Sequence, residues 1–237
     1  MVILAVCVAL ALGAGEKPDW LVDPSSYHAR LVRRSALHEI ELSNGLVRRV
    51  FRIAPAAATI GFDELVRGRS ILRAVRPEAH IDTDRGSFDV GGLVGQPDQA
   101  YLRPEWIETL HAGDSPFQLI AAEEGPLVAR LEWKRVRHDE GRSWPPPGVA
   151  LHLRFQGNGA AAGLEVGVHY QIYDGLPLIE KWITLYNASE KPLVLHSFAS
   201  EILAAVESES VVDPFDGFEP PDLHVESDFA FGGGDVN

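Results

Sequence analysis

Cysteine is nearly missing from this chain. The only one, Cys7, lies in the uncharged first stretch, MVILAVCVALALGAG. Downstream of it no disulfide and no thiolate metal centre can form, so the fold must be held by its core. Runs of Lys or Arg are missing as well. Against 21 Lys+Arg stand 34 Asp+Glu, a net charge of −13. A surface of that sign repels nucleic acid and anionic lipid, and it suits solubility and neutral partners such as sugars. Long apolar runs are lacking too. Residues 2–12 fall short of the roughly 20 needed to cross a bilayer. They fit the apolar region of a secretory signal, with small residues around Ala11-Leu12-Gly13 where a signal peptidase would cut, although no Lys or Arg precedes them. The expected organisation is a signal peptide over residues 1–15, a β-sandwich over 16–212, and over 213–237 a linker or the start of a following domain. The expected location is periplasmic or extracellular, with no membrane attachment once the signal is removed.

Helical periodicity is also scarce, and no amphipathic helix longer than about three turns can be drawn. Alternation of apolar and polar residues runs almost throughout instead. Residues 38–43 (HEIELS) and 46–53 (LVRRVFRI) alternate on either side of Asn44-Gly45, a pair suited to a type I′ hairpin turn. Further strands are expected at 57–62, 69–72, 79–83, 117–122, 127–136, 149–156, 164–173, 178–186, 193–198 and 202–206. Turn clusters separate them, at Pro55, Arg67-Gly68, residues 84–86 and 157–159, Asp174-Gly175 and residues 187–192. Many strands with frequent turns predict an all-β fold, a large antiparallel two-sheet sandwich. Residues 86–116, rich in Gly, Pro and aromatics, are expected to form a long excursion over one face. Along residues 164–173, Val166, Val168, Tyr170 and Ile172 alternate with Gly167, His169, Gln171 and Tyr173, as in a two-faced strand. Leu178 and Trp182 are expected to share the core face of the next strand.

Two stretches carry a resemblance. Ser43-Asn44-Gly45-Leu46-Val47-Arg48-Arg49 is similar to an early hairpin, SNGLxRR, in the N-terminal domain of α-galactosidase-like glycoside hydrolases. Residues 170–182, YQIYDGLPLIEKW, resemble the YxIYDGxPxxxKW strand pair of the same domains. The resemblance implies a β-supersandwich of the galactose-mutarotase-like type, standing before a catalytic (β/α)8 barrel that carries the two catalytic Asp residues. It implies a chain that frames a carbohydrate site without doing the chemistry, with carbohydrate and the barrel as partners. Residues 89–116 do not follow the family pattern.

Three aromatics in expected loops are the candidates for contacting carbohydrate. These are Tyr101, Trp106 and Trp144, flanked by Arg103, Glu105, Glu108 and Arg142. A ring of this kind stacks on the apolar face of a pyranose while polar neighbours take the hydroxyls. Plugging the sandwich ends, or sealing an interface, is the alternative use of the same rings. The acidic residues offer no pair marked out for glycosidic acid/base work. Glu123-Glu124 and Asp139-Glu140 read as solvated turn charges. His169 with Glu180 is a candidate acid/base pair for a mutarotase-like epimerase, against an ordinary strand His and a surface Glu. His224, Glu226 and Asp228 alternate on a possible strand and have the donor types for calcium or zinc, but they also suit a linker strand, and no cofactor or metal is expected. The residues therefore leave open an accessory domain of an exported glycosidase, a free-standing carbohydrate-binding module, and a mutarotase-like enzyme.

Overall fold

A computed structural model describes residues 19–99, 101–130 and 144–205. The expected signal peptide, the segment 213–237 with His224, Glu226 and Asp228, and residues 131–136 of the strand expected over 127–136 lie outside the described residues, and residues 127–130 form no strand.

The protein is an all-β sandwich. Its strands begin with β1 (Arg30–Arg34), β2 (Glu39–Ser43), β3 (Val47–Arg52), β4 (Ala58–Glu64), β5 (Arg69–Ser70) and β6 (Leu72–Ala74). They continue with β7 (Ala79–Thr83), β8 (Gly86–Val90), β9 (Leu93–Val94), β10 (His111–Ala112) and β11 (Phe117–Gly125). The last are β12 (Gly148–Gly157), β13 (Leu164–Tyr173), β14 (Ile179–Asn187), β15 (Leu195–Ala199) and β16 (Ala204–Ala205). One sheet runs β1-β2-β3-β4-β5 and the other β14-β13-β12-β11-β8-β7-β15, with two short pairs, β10-β9 and β16-β6, beside them. Among the described residues no helix is long and apolar enough to cross a membrane.

The core forms where the apolar faces of the two sheets meet. Ile40, Leu42 and Phe51 of the smaller sheet pack with Leu151, Leu153, Phe155, Val166, Val168, Tyr170 and Ile172 of the larger. Period-two alternation dictates this, because residues of one parity in a strand share one face. Each large apolar side chain fully buried in this way contributes about 1.5–3 kcal/mol.

The larger sheet is joined in its middle by little. β11 meets β8 through one parallel pair, Phe117 with Val90. Beyond that joint, β7, β8 and β15 form a wing that curls back. Glu78, just before β7, reaches both Thr59 on β4 and Tyr170 on β13.

Residues 86–116 are not one long loop. They begin as β8, and the remainder lies over the outer face of the smaller sheet. There Leu93 and Leu110, with Leu102 and Ile107, cover Val50, Ala58 and Ile60. The 3-10 turn Pro104–Thr109 is tied down by Arg52, whose Nη2 donates to Glu108 Oε1 at 2.7 Å.

The turn at Asn44-Gly45 is not type I′, since only Gly45 has a positive φ (+85°). Asn44 has a different task. Its Oδ1 accepts from the Leu46 and Val47 amides at 2.9 and 3.1 Å, and its Nδ2 donates to the carbonyls of Tyr173 and Leu176 at 2.7 and 2.6 Å. One short side chain thus shapes its own turn and locks it to the Asp174-Gly175 turn of the other sheet. Asp174 completes the corner by accepting from the Ala29 amide at 2.7 Å.

Further along the same two strands, the sheets enclose an ionic network. The Arg49 guanidinium donates to Thr59 Oγ1 at 2.9 Å and to both oxygens of Glu201 at 2.6 and 3.1 Å. Its central carbon lies 4.8 Å from the Tyr170 ring centroid. Lys181 Nζ donates to Glu201 Oε1 at 2.8 Å and sits 3.6 Å from Glu78 Oε2. The Tyr170 hydroxyl and the Thr59 amide donate to Glu78. Two carboxylates and two cations balance in formal charge, which makes burial of Arg49, Glu78 and Lys181 tolerable, while Glu201 reaches them from a partly exposed position. Burial alone would raise the Glu201 carboxyl, but the Arg49 hydrogen bonds and the charges of Arg49 and Lys181 outweigh it and hold it below its ordinary value.

Candidate functional site

The three aromatics singled out from the sequence separate into two places. Tyr101 and Trp106 stack with ring centroids 5.6 Å apart, over the outer face of the smaller sheet. Arg103 lies against both, 5.0 Å from the Tyr101 centroid and 5.6 Å from that of Trp106. Much of their ring surface is therefore spent on one another and on a guanidinium. Trp144 lies just ahead of β12 beside the larger sheet, where it packs on Tyr173 at the end of β13 with centroids 5.5 Å apart. Both ring groups are half-buried.

Trp144 borders a polar and aromatic surface on the outer face of β12, β13 and β14. The register places His152 opposite His169, His169 opposite Trp182, and Gln171 opposite Glu180. Trp182 is therefore on the outer face and Leu178, ahead of β14, is exposed, so the expectation that the two share the core face fails. Lys181 and Ile179 point inward in its place. The parity of β14 follows from β13: once Tyr170 is in the core, its partner Lys181 faces the core too, and Trp182 must face outward.

The geometry of this surface is close. The His169 and Trp182 rings stack at 5.0 Å, and the Arg130 guanidinium lies 4.6 Å from the Trp182 centroid. His152 Nδ1 and His169 Nδ1 are 2.9 Å apart, so one carries the proton and the other accepts it. His169 Nε2 pairs with Thr184 Oγ1 at 2.9 Å. Two glycines make room for the imidazoles. A Cβ on Gly125 would stand 2.4 Å from His152 Nε2, and one on Gly167 would stand 2.6 Å from His169 Nε2.

At the Trp144 end, the Tyr173 hydroxyl donates to Glu180 Oε2 at 2.6 Å, and Gln171 Nε2 donates to the same oxygen at 3.1 Å. Gln171 also clasps the main chain of Val128 through its amide and carbonyl. That clasp brings Arg130 over the sheet.

Charge on this surface is set by its surroundings. Burial, reinforced by the positive charges of His152 and Arg130, pushes His169 down to about 4. Burial lowers His152 as well, against the pull of Glu123. Burial and the hydrogen bond to Glu180 raise the Tyr173 phenol above its usual value. His169 and Glu180 share the face, but they do not meet as an acid/base pair. His169 is engaged by His152 and Thr184, and Glu180 by Tyr173 and Gln171. Among the described residues no three metal-ligating side chains gather to hold an ion.

No family model, no curated protein and no solved structure matches the chain. The site therefore has to be read from its own chemistry. It offers the Glu180 carboxylate, the Thr184 hydroxyl and the His152 and His169 imidazoles on strands, with the indoles of Trp182 on β14 and of Trp144 just ahead of β12. Such a set suits a neutral ligand rich in hydroxyl groups, or a polar protein face.

Proposed function

We propose that this sandwich is a non-catalytic, carbohydrate-associated domain of an exported α-galactosidase-like glycoside hydrolase, packing on and framing a catalytic barrel. The observation that carries the reading is where the two resembling motifs go. They are more than a hundred residues apart in sequence, yet Asn44 of the first bonds the Tyr173 and Leu176 carbonyls of the second. Arg49 of the first and Lys181 of the second share the Glu201 carboxylate. That the two resembling stretches meet in one corner and one network supports reading them together. The surface around Trp144, Glu180 and Trp182, which are only partly buried, is the part of the domain that would face glycan or barrel.

The test is hydrolysis of p-nitrophenyl α-D-galactoside by the 237-residue chain and by the product of the whole reading frame. None is expected from the chain and turnover from the whole product. Turnover by the chain alone overturns the accessory role, and turnover by neither overturns the glycosidase reading. A binding scan of the chain on galactose-containing oligosaccharides then separates framing from binding. Retained affinity in Trp144→Ala and Trp106→Ala would remove those rings from any binding role.

A further inference from the structure

The β7–β8 hairpin carries a polar face on the wing that shares no residue with the surface around Trp182. His80 stands directly opposite Asp89 in the ladder, and Ser87 is two residues along on the same face. His80 Nδ1 lies 2.8 Å from Asp89 Oδ1, and His80 Nε2 lies 2.9 Å from Ser87 Oγ. With the imidazole proton on Nδ1, toward the carboxylate, Nε2 is left as the acceptor for the serine hydroxyl. Serine, imidazole and carboxylate thus form one chain of hydrogen bonds in the order that activates a serine nucleophile. All three line a cleft of about 470 Å³ walled by Gly91, Gly92, Leu93 and the turn Gly113-Asp114-Ser115. That volume is in the range of small-molecule sites.

We propose that Ser87, His80 and Asp89 make this cleft a nucleophilic site for small carboxylic esters, acetate esters foremost. Ser87 Oγ attacks the ester carbonyl carbon and passes its proton to His80 Nε2. The C–O bond to the alcohol breaks, and the alcohol leaves with that proton, so that Ser87 is acylated. Water then gives a proton to His80, attacks the acyl carbon and releases the carboxylic acid, and the proton returns to Ser87. Nothing is oxidised or reduced. Ser87 and His80 touch the reacting atoms, whereas Asp89 is a positioning residue that fixes the ring and its tautomer. The proposal needs only the wing and does not depend on the glycosidase reading, in which the domain takes no part in glycoside cleavage; ester cleavage would be an activity of its own.

The experiment treats the purified chain with diisopropyl fluorophosphate, followed by intact-mass measurement and peptide mapping, alongside p-nitrophenyl acetate hydrolysis. One phosphoryl adduct on the Ser87 peptide is expected, together with turnover that Ser87→Ala lowers by about a thousand-fold. Asp89→Asn should slow acylation and shift its pH profile, and Asp89→Glu should restore both in part. No adduct on Ser87 in a chain whose near-ultraviolet dichroism shows native packing overturns the proposal. So does acetate release that persists in Ser87→Ala, and the hairpin triad is then a structural pairing only.

Discussion

Strands β13 and β14 serve two polar clusters from opposite faces. Inward, Tyr170 and Lys181 join Arg49, Glu78 and Glu201 between the sheets. Outward, His169 and Trp182 join His152, Arg130 and Glu180 on the surface. Both clusters combine charged groups with rings, yet the physics differs. The inner one holds Arg49 at 3% and Glu78 at 1% side-chain exposure, so each charge is tied to its counter-charge. In the outer one Arg130 is 40% exposed, and water can screen a charge whose partner is lost. Residues one position apart on the same strand therefore tolerate very different substitutions.

The comparison is sharpest at Glu78. Glu78→Ala leaves Arg49 and Lys181 facing a gap in the core and should cost about 3–5 kcal/mol in urea unfolding. Glu201→Ala should cost clearly less, since that carboxylate is 34% exposed. A smaller loss for Glu78 than for Glu201 would break the account of the inner network. Next comes Asn44→Ala, which strips the Tyr173 and Leu176 carbonyls of their donor. It should cost about 2 kcal/mol by the same measurement.

On the outer face, Gly167→Ala forces a Cβ against His169 and Thr184 and should cost about 1–3 kcal/mol. It should also move the His152 and His169 ring resonances in NMR spectra, which a change elsewhere in the strand would not do.

A pH effect follows from His169. Its folded pKa lies near 4, below the value of about 6.5 for an unfolded His. Between these limits the unfolded chain binds more protons, so stability rises with pH. The contribution is complete above about pH 6.5 and is lost as pH falls toward 4. The melting temperature should drop between pH 7 and pH 5, and by less in His169→Gln. An equal drop in both would separate the outer histidines from stability. The smallest effect is expected for Arg154→Ala, because its 3.2 Å pair with Glu165 is partly exposed on both sides. A change within about 0.5 kcal/mol is expected there.

How legible these clusters were differs too. β7 and β13 have the bounds that alternation assigns, and β2, β12 and β14 come within a residue or two of theirs. Period two is a local signal, and the strands obey it. β1 and β8 were not seen, since β1 is largely exposed and β8 opens at Gly86 the stretch rich in Gly and Pro that reads as an excursion. Face assignment failed at Trp182 because an indole reads as core, whereas the ladder to Tyr170 decides otherwise. The inner network could not be read at all. Glu78 and Glu201 lie outside the strands they serve, and only the return of the wing brings them to Arg49. The Tyr101–Trp106 pair was found as aromatic, but its use against Arg103 depends on a turn whose packing lies across the smaller sheet.

The route of β15 has a consequence for how the protein is made. β15 pairs with β7, Leu195 against Thr83 and Ala199 against His80, closing a loop of roughly a hundred residues. Such non-local pairing is slow to form. On the ribosome, one edge of β7 stays without its neighbour until almost all of the sandwich has emerged, and Ile81 and Phe88 wait beside it. That interval is when another unfinished chain can add to the open edge. The wing is therefore the part of the molecule through which slow synthesis or a chaperone holding the nascent chain would most affect yield.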